Sequence, residues 1–138
     1  MAKMITNMAH VCLLVADLER SRKFYADTLG LDKAFEFRRD NGDLYGMYLH
    51  VGERNFIEIF KADLKAPAEG QSFGHFCLEV TSCQAAHDEL TAKGLEVTDV
   101  KLGGDQSWQC WLTDPDGNKI ELHEYTPASL QTPWVNKK

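Results

Sequence analysis

The feature that most constrains this chain is an internal repeat. His10-Val-Cys12-Leu13-Leu14-Val15 returns 65 residues later as His75-Phe-Cys77-Leu78-Glu-Val80, with His, Cys, Leu and Val at matching places. Such a repeat marks one structural unit used twice. Each copy is followed by a helical pattern between a capping residue and a glycine stop, from Asp17 through Leu18, Phe24, Tyr25 and Leu29 to Gly30, and from Ser82 through Ala85, Ala86 and Leu90 to Gly94. Three strand-like runs then follow in each half: 33–38, 45–51 and 55–60, against 96–102, 107–113 and 119–125. Asp114-Pro115-Asp116-Gly117-Asn118 is a hairpin turn signal, because Pro presets one turn position and Gly or Asn tolerates positive φ.

The order βαβββ, twice, predicts an α+β fold in which two paired modules form one curved, cup-like mixed sheet with the helices outside. Module one covers about 7–61 and module two about 73–125, within a single domain of residues 1–138. The stretch 62–74, with Pro67 and Gly70, reads as a linker, and 126–138 as a loosely attached C-terminal arm. Length and composition agree with this, since 138 residues at 43% hydrophobic and 26% charged can build a real core. Fifteen Lys and Arg against 21 Asp and Glu, with no long run of either sign, argue against nucleic acid or an anionic membrane surface as partner. No apolar run approaches the ~18 residues of a membrane span, and the first residues lack a signal-peptide pattern, so the expected location is cytoplasmic and the expected partner a small molecule. Cys12, Cys77, Cys83 and Cys110 show no CxxC pair or zinc-finger spacing and read as free thiols in packing roles.

Alternation along strands decides which residues share a face. His10, Cys12 and Leu14 lie on one face of the first strand, opposite Val11, Leu13 and Val15; His75, Cys77 and Glu79 lie opposite Phe76, Leu78 and Val80. In the closing strands Glu58 stands between Ile57 and Ile59, and Glu121 between Ile120 and Leu122. If the apolar residues pack under the helices, His10, Glu58, His75 and Glu121 all face the concavity as two repeat-related pairs. Two imidazoles and two carboxylates form a donor set suited to nickel, cobalt, zinc, manganese or iron(II), and the lack of thiolate argues against a closed structural zinc site. His123, two residues beyond Glu121, falls on the same face as a supporting or substrate-binding group. Phe56, Phe60, Trp108 and Trp111 are candidates to line the pocket. His87 reads as a solvent-facing helix residue, and His50 has no partner visible in sequence.

These residues resemble the vicinal oxygen chelate superfamily, which includes glyoxalase I, extradiol dioxygenases, methylmalonyl-CoA epimerase and the fosfomycin and bleomycin resistance proteins. The carriers are His10, Val15-Ala-Asp17-Leu18-Glu-Arg-Ser21, Phe24-Tyr25 with Leu29-Gly30-Leu31, Gly74-His75, and Asp114-Pro115-Asp116-Gly117-Asn118-Lys-Ile-Glu121. The resemblance implies a divalent metal held by His10, Glu58, His75 and Glu121, the ligand pattern of glyoxalase I. It further implies proton transfer next to a carbonyl through an enediolate, with Glu121 as first choice of base and Glu58 as its counterpart, and a homodimer. Two departures stand out. Glyoxalase I carries an Arg that binds glutathione at the place of Leu14, and an Asn at the place of Ala62. The expected substrate is therefore a small carbonyl compound other than the glutathione hemithioacetal, bound near Phe56, Phe60, Trp111 and His123. The alternatives are a lactoylglutathione lyase, an iron(II) ring-cleaving dioxygenase, and a metal-free sequestering protein.

Overall fold

In the computed structural model, which describes residues 4–65 and 70–136, each copy of the repeat forms its own four-stranded sheet. The chain divides into two compact units, Met1–Pro67 and Ala68–Lys138. The division falls within the expected linker, of which residues 66–69 lie outside the described residues.

The first unit comprises β1 (His10–Val15), α1 (Leu18–Arg22), β2 (Asp32–Arg38), β3 (Leu44–Gly52) and β4 (Asn55–Lys61). Its strand order is β1-β4-β3-β2, with β1 parallel to β4 and the other pairs antiparallel. Asp17 caps α1 by accepting the Arg20 N–H, satisfying one of the free donors at a helix start. Beyond Arg22 the helix widens into a π-helical stretch, Lys23–Thr28, where the Leu29 N–H bonds the Phe24 carbonyl five residues back at 2.9 Å. The sequence pattern anticipates a plain helix here. The wider turn accompanies the burial of two consecutive rings, Phe24 and Tyr25, packed edge to face at 5.0 Å. Gly30, at φ +82, then ends the helix in a conformation that costs an L-residue more.

The second unit repeats the plan with β5 (Phe76–Glu79), α2 (Cys83–Ala92), β6 (Lys101–Leu102), β7 (Trp108–Thr113) and β8 (Lys119–Glu124), followed by a short α3 (Thr132–Val135). The order β5-β8-β7-β6 reproduces the first sheet, and β5 runs parallel to β8. Ser82 caps α2 through the Ala85 N–H. Each unit buries the apolar face of its sheet: Leu13, Val15, Met47, Leu49, Ile57 and Ile59 in the first, and Phe76, Cys110, Leu112, Ile120 and Leu122 in the second. Each such side chain is worth roughly 1.5–3 kcal/mol of burial. α1 lies against β4, and α2 against β7 and β8. Among the described residues no helix is long and apolar enough to cross a membrane.

Two expectations are corrected. The strand expected over 96–102 forms only at Lys101–Leu102. Upstream, the Thr98 N–H reaches the Trp111 carbonyl, but the Trp111 N–H donates to the Thr98 hydroxyl instead of a backbone carbonyl, so no ladder propagates. The C-terminal arm is also not loosely attached over its described part. The Leu130 N–H bonds the Asp105 carbonyl, the Ser129 and Ser107 hydroxyls meet at 2.7 Å in a buried contact, and the Thr126 hydroxyl donates to the Gln106 carbonyl. Composition hid this, because small polar residues form such a clasp as readily as they form a disordered tail.

The predicted hairpin turn is held by buried Asp114. Its Oδ1 accepts the Asp116 and Asn118 N–H groups, and its Oδ2 accepts the Asn118 side-chain amide. Asp114→Ala is expected to destabilise the protein by about 2 kcal/mol in urea unfolding, since a charged acceptor is worth more than a neutral one. A change within experimental error would show that the turn is held by other contacts.

Candidate functional site

In the first unit, β1 and β4 bring His10 and Glu58 together as the alternation requires. Cys12 is the register partner of Glu58, and His10 sits two pairs along on the same face, beside Phe56. His10 Nε2 lies 3.7 Å from Glu58 Oε2. Tyr48, paired with Glu58 across β3 and β4, lies beside both groups: its hydroxyl is 3.4 Å from His10 Nδ1. Hydrogen bonding to Glu58 chiefly holds the Tyr48 phenol above its ordinary range, with burial adding to it, so Tyr48 stays a donor. Around this pair runs an aromatic face. Phe35 stacks on Tyr48 at 4.6 Å, Phe37 meets Phe60 at 5.4 Å, and Phe56 lies 5.6 Å from Tyr48. Phe60 lies across β3 where Gly46 leaves room, since a Cβ there would stand 2.2 Å from its ring. His50 is occupied locally, its Nε2 3.0 Å from the Glu53 carbonyl.

The second unit holds the repeat-related pair. His75 immediately precedes β5, and its Nε2 is 3.5 Å from Glu121 Oε2. Trp111 is the register partner of Glu121 and meets His75 edge to face at 4.6 Å. His123 does not repeat anything in the first unit, where Phe60 holds the corresponding place two residues after the glutamate. It is 8% exposed, and its Nδ1 lies 2.8 Å from Glu121 Oε1. On its other edge Nε2 is 3.3 Å from Asp105 Oδ2, without a well-aligned hydrogen bond. Gln131 donates to Asp105 Oδ2, and the Ser107 N–H to Oδ1. The Gln131 bond chiefly holds the Asp105 carboxyl below its usual range, with the Ser107 N–H and nearby His123 contributing.

The donor chemistry fits a divalent ion. In both pairs an imidazole nitrogen faces a carboxylate oxygen at 3.5–3.7 Å, too long for a good hydrogen bond. Two ligands held at about 2.0–2.2 Å from one ion stand about 3.0–3.5 Å apart, close to these separations. Both glutamates are mostly shielded while the histidine edges stay accessible, with side-chain exposures of 15% and 12% against 40% and 42%. Cys77, Glu121 and His123 also place ligand atoms within 4.8 Å of one another. Burial, reinforced by the charge of Glu121, pushes the Cys77 thiol up to about 12, so it is a weak proton donor to the carboxylate and no nucleophile. Cys12 is raised for the same reason, burial first and then Glu58.

A groove of about 1060 Å³ runs along the second unit between α2, the 95–98 segment and β7, with His75 and Trp111 among its lining residues. Glu121 does not line it, so the groove reaches only one member of the pair. His87 lines it too, half-buried and 3.0 Å from Asp88 Oδ1, which corrects its reading as a solvent-facing residue. The sequence placed the His–Glu pairs and the neighbouring His123 but missed Tyr48, Asp105 and Gln131. Tyr48 becomes visible once the β3–β4 register is known; Asp105 and Gln131 sit in a loop and a tail with no periodicity to read.

Comparison with known proteins agrees with this fold. A lactoylglutathione lyase from Salmonella typhimurium is 29% identical over 128 residues, covering 88% of this chain and 94% of its own length. The crystal structure of a glyoxalase family protein from Enterococcus faecalis superposes with a TM-score of 0.75 at 23% identity, covering 88% of this chain and all of that one. TnmS3, an antibiotic binding protein from Streptomyces sp. CB03234, shares the fold with a TM-score of 0.74 at 21% identity, covering 91% of this chain and all of its own. The sequence model of one family matches residues 7–122. This chain therefore belongs to the Glyoxalase/Bleomycin resistance protein/Dioxygenase superfamily.

Proposed function

We propose that this protein is a divalent-metal-dependent lyase or isomerase of the glyoxalase type, moving a proton between carbons next to a carbonyl, with His10, Glu58, His75 and Glu121 as metal ligands. The observation that carries the reading is the duplicated pair: each unit holds one imidazole nitrogen facing one carboxylate oxygen at near ligand spacing. Bound there, the ion supplies Lewis-acid polarisation of a substrate carbonyl. One of the two repeat-related carboxylates, Glu121 or its counterpart Glu58, takes the proton from the carbon beside that carbonyl and returns it to the adjoining carbon. Tyr48, kept as a phenol, holds Glu58. Phe56 and Phe60 in the first unit and Trp111 in the second are the apolar groups proposed to meet the substrate, and Leu14, 54% exposed, offers no charge for a glutathione carboxylate. A small hydroxycarbonyl compound, such as a sugar derivative, suits these aromatic side chains.

A second reading, a metal-free sequestering protein, is favoured by the aromatic face of Phe35, Phe37, Tyr48 and Phe60. Elemental analysis distinguishes the two. After reconstitution with nickel, cobalt, manganese or zinc, about one ion per chain is expected to survive desalting, whereas no retained ion favours the second reading. The homodimer, proposed from the family, is expected in light scattering as twice the chain mass; a monomer at working concentration contradicts it.

A further inference from the structure

We propose that His123, backed by Asp105 and Gln131, is a positioning residue that locks Glu121 with only Oε2 free for a metal ion. The inference rests on the proposed reading of Glu121 as a ligand. The two oxygens of this carboxylate have different surroundings. Oε2 faces His75 Nε2 at 3.5 Å, while Oε1 is 2.8 Å from His123 Nδ1 and 3.6 Å from Cys77 Sγ. An ionised carboxylate only accepts, so Nδ1 is the donor in the short contact. Turning Glu121 to offer both oxygens to an ion would break a charge-assisted hydrogen bond with a ring that is 8% exposed, leaving a donor without water to replace it.

Asp105 flanks the ring in turn. Its Oδ2 lies 3.3 Å from the far nitrogen without an aligned hydrogen bond, and Asp105 is itself held by the Gln131 side-chain amide at 2.6 Å, by the Ser107 N–H at 3.1 Å and, through its own carbonyl, by the Leu130 N–H at 2.9 Å. The C-terminal clasp therefore ends on Glu121 by way of two side chains. Glu58 has no imidazole at the equivalent place among the described residues, because Phe60 occupies it; its hydrogen-bonding partner is the Tyr48 hydroxyl from the neighbouring strand. The repeat supplies two like carboxylates, and this chain fixes one of them by a second imidazole. Supporting hydrogen bonds of this kind orient metal ligands and set affinity by about ten- to a hundredfold.

The test measures cobalt(II) affinity of the full chain by chelator competition, together with the visible cobalt absorption, which reports coordination number and geometry. His123→Leu is expected to weaken cobalt binding at least tenfold and to change the band intensities. His123→Asn, whose amide can place a donor where Nδ1 stands, is expected to recover most of both. Gln131→Ala is expected to weaken binding a fewfold, and this variant keeps the test valid if His123→Leu folds poorly in a thermal melt. Wild-type binding with affinity and spectrum unchanged in His123→Leu and Gln131→Ala would overturn the positioning role while leaving the ligand reading intact. An Asn variant as impaired as Leu would also overturn it. A wild-type chain that binds no cobalt would overturn the ligand reading and the inference with it.

Discussion

Alanine in place of His75 or Glu121 is expected to reduce divalent-metal affinity by at least a hundredfold and to abolish metal-dependent activity. Each removes one of four proposed ligands and leaves its partner facing an empty position. Truncation at His75 costs little packing, because it precedes β5 with an accessible edge, whereas Glu121→Ala also removes the acceptor of buried His123. The melting temperature of metal-free His75→Ala should therefore stay near wild type, and that of Glu121→Ala fall, while isothermal titration shows the loss of metal in both. His10→Ala and Glu58→Ala should behave alike if both units supply ligands. Full metal retention in all four variants would place the ion elsewhere.

Much of this arrangement was legible because β-strand alternation is a period of two that sequence displays directly. Ile57 and Ile59 bracket Glu58, and Ile120 and Leu122 bracket Glu121; the structure buries all four apolar side chains as the pattern demands. Capping chemistry was equally readable at Asp17 and Ser82. What stayed hidden depends on tertiary hydrogen bonds. The π-helical turn accompanies the seating of Phe24 beside Tyr25, the lost strand around Thr98 follows from a hydroxyl capturing one ladder donor, and the tail clasp from Ser107, Ser129 and Gln131 meeting partners more than twenty residues away. None of these has a sequence period. His123 was visible beside Glu121, but Asp105 on its other edge was not, because only the tertiary fold brings that loop to the imidazole.

The second large effect concerns substrate. The glutathione hemithioacetal of methylglyoxal is expected to be turned over poorly, with kcat/KM at least tenfold below what the same site achieves on its own substrate. A charge-assisted bond to a substrate carboxylate is worth about 1.5–3 kcal/mol, and Leu14 supplies none where the family's glutathione-binding enzymes carry Arg. Of the four cations that could stand in, Arg38 pairs with Glu36 at 2.8 Å and bonds the Gly42 carbonyl, and Arg39 lies 4.7 Å over the Tyr45 ring, which leaves Lys61 and Lys65 as the candidates. Thioester formation from methylglyoxal and glutathione, followed with nickel-, cobalt- and zinc-loaded protein, checks this. Turnover near ~10^6 M⁻¹s⁻¹, within the usual range for enzymes, would instead make the protein a lactoylglutathione lyase.

Proton transfer beside a carbonyl can be observed without knowing the physiological substrate. Metal-loaded protein incubated in deuterated water with a panel of small hydroxycarbonyl compounds is expected to exchange the α-proton of at least one of them, as seen by NMR. Exchange should stop on chelation, return when metal is restored, and be lost in Glu121→Gln. Absence of exchange from every compound with a fully loaded site, or exchange that persists after chelation, would contradict the metal-dependent proton-transfer account.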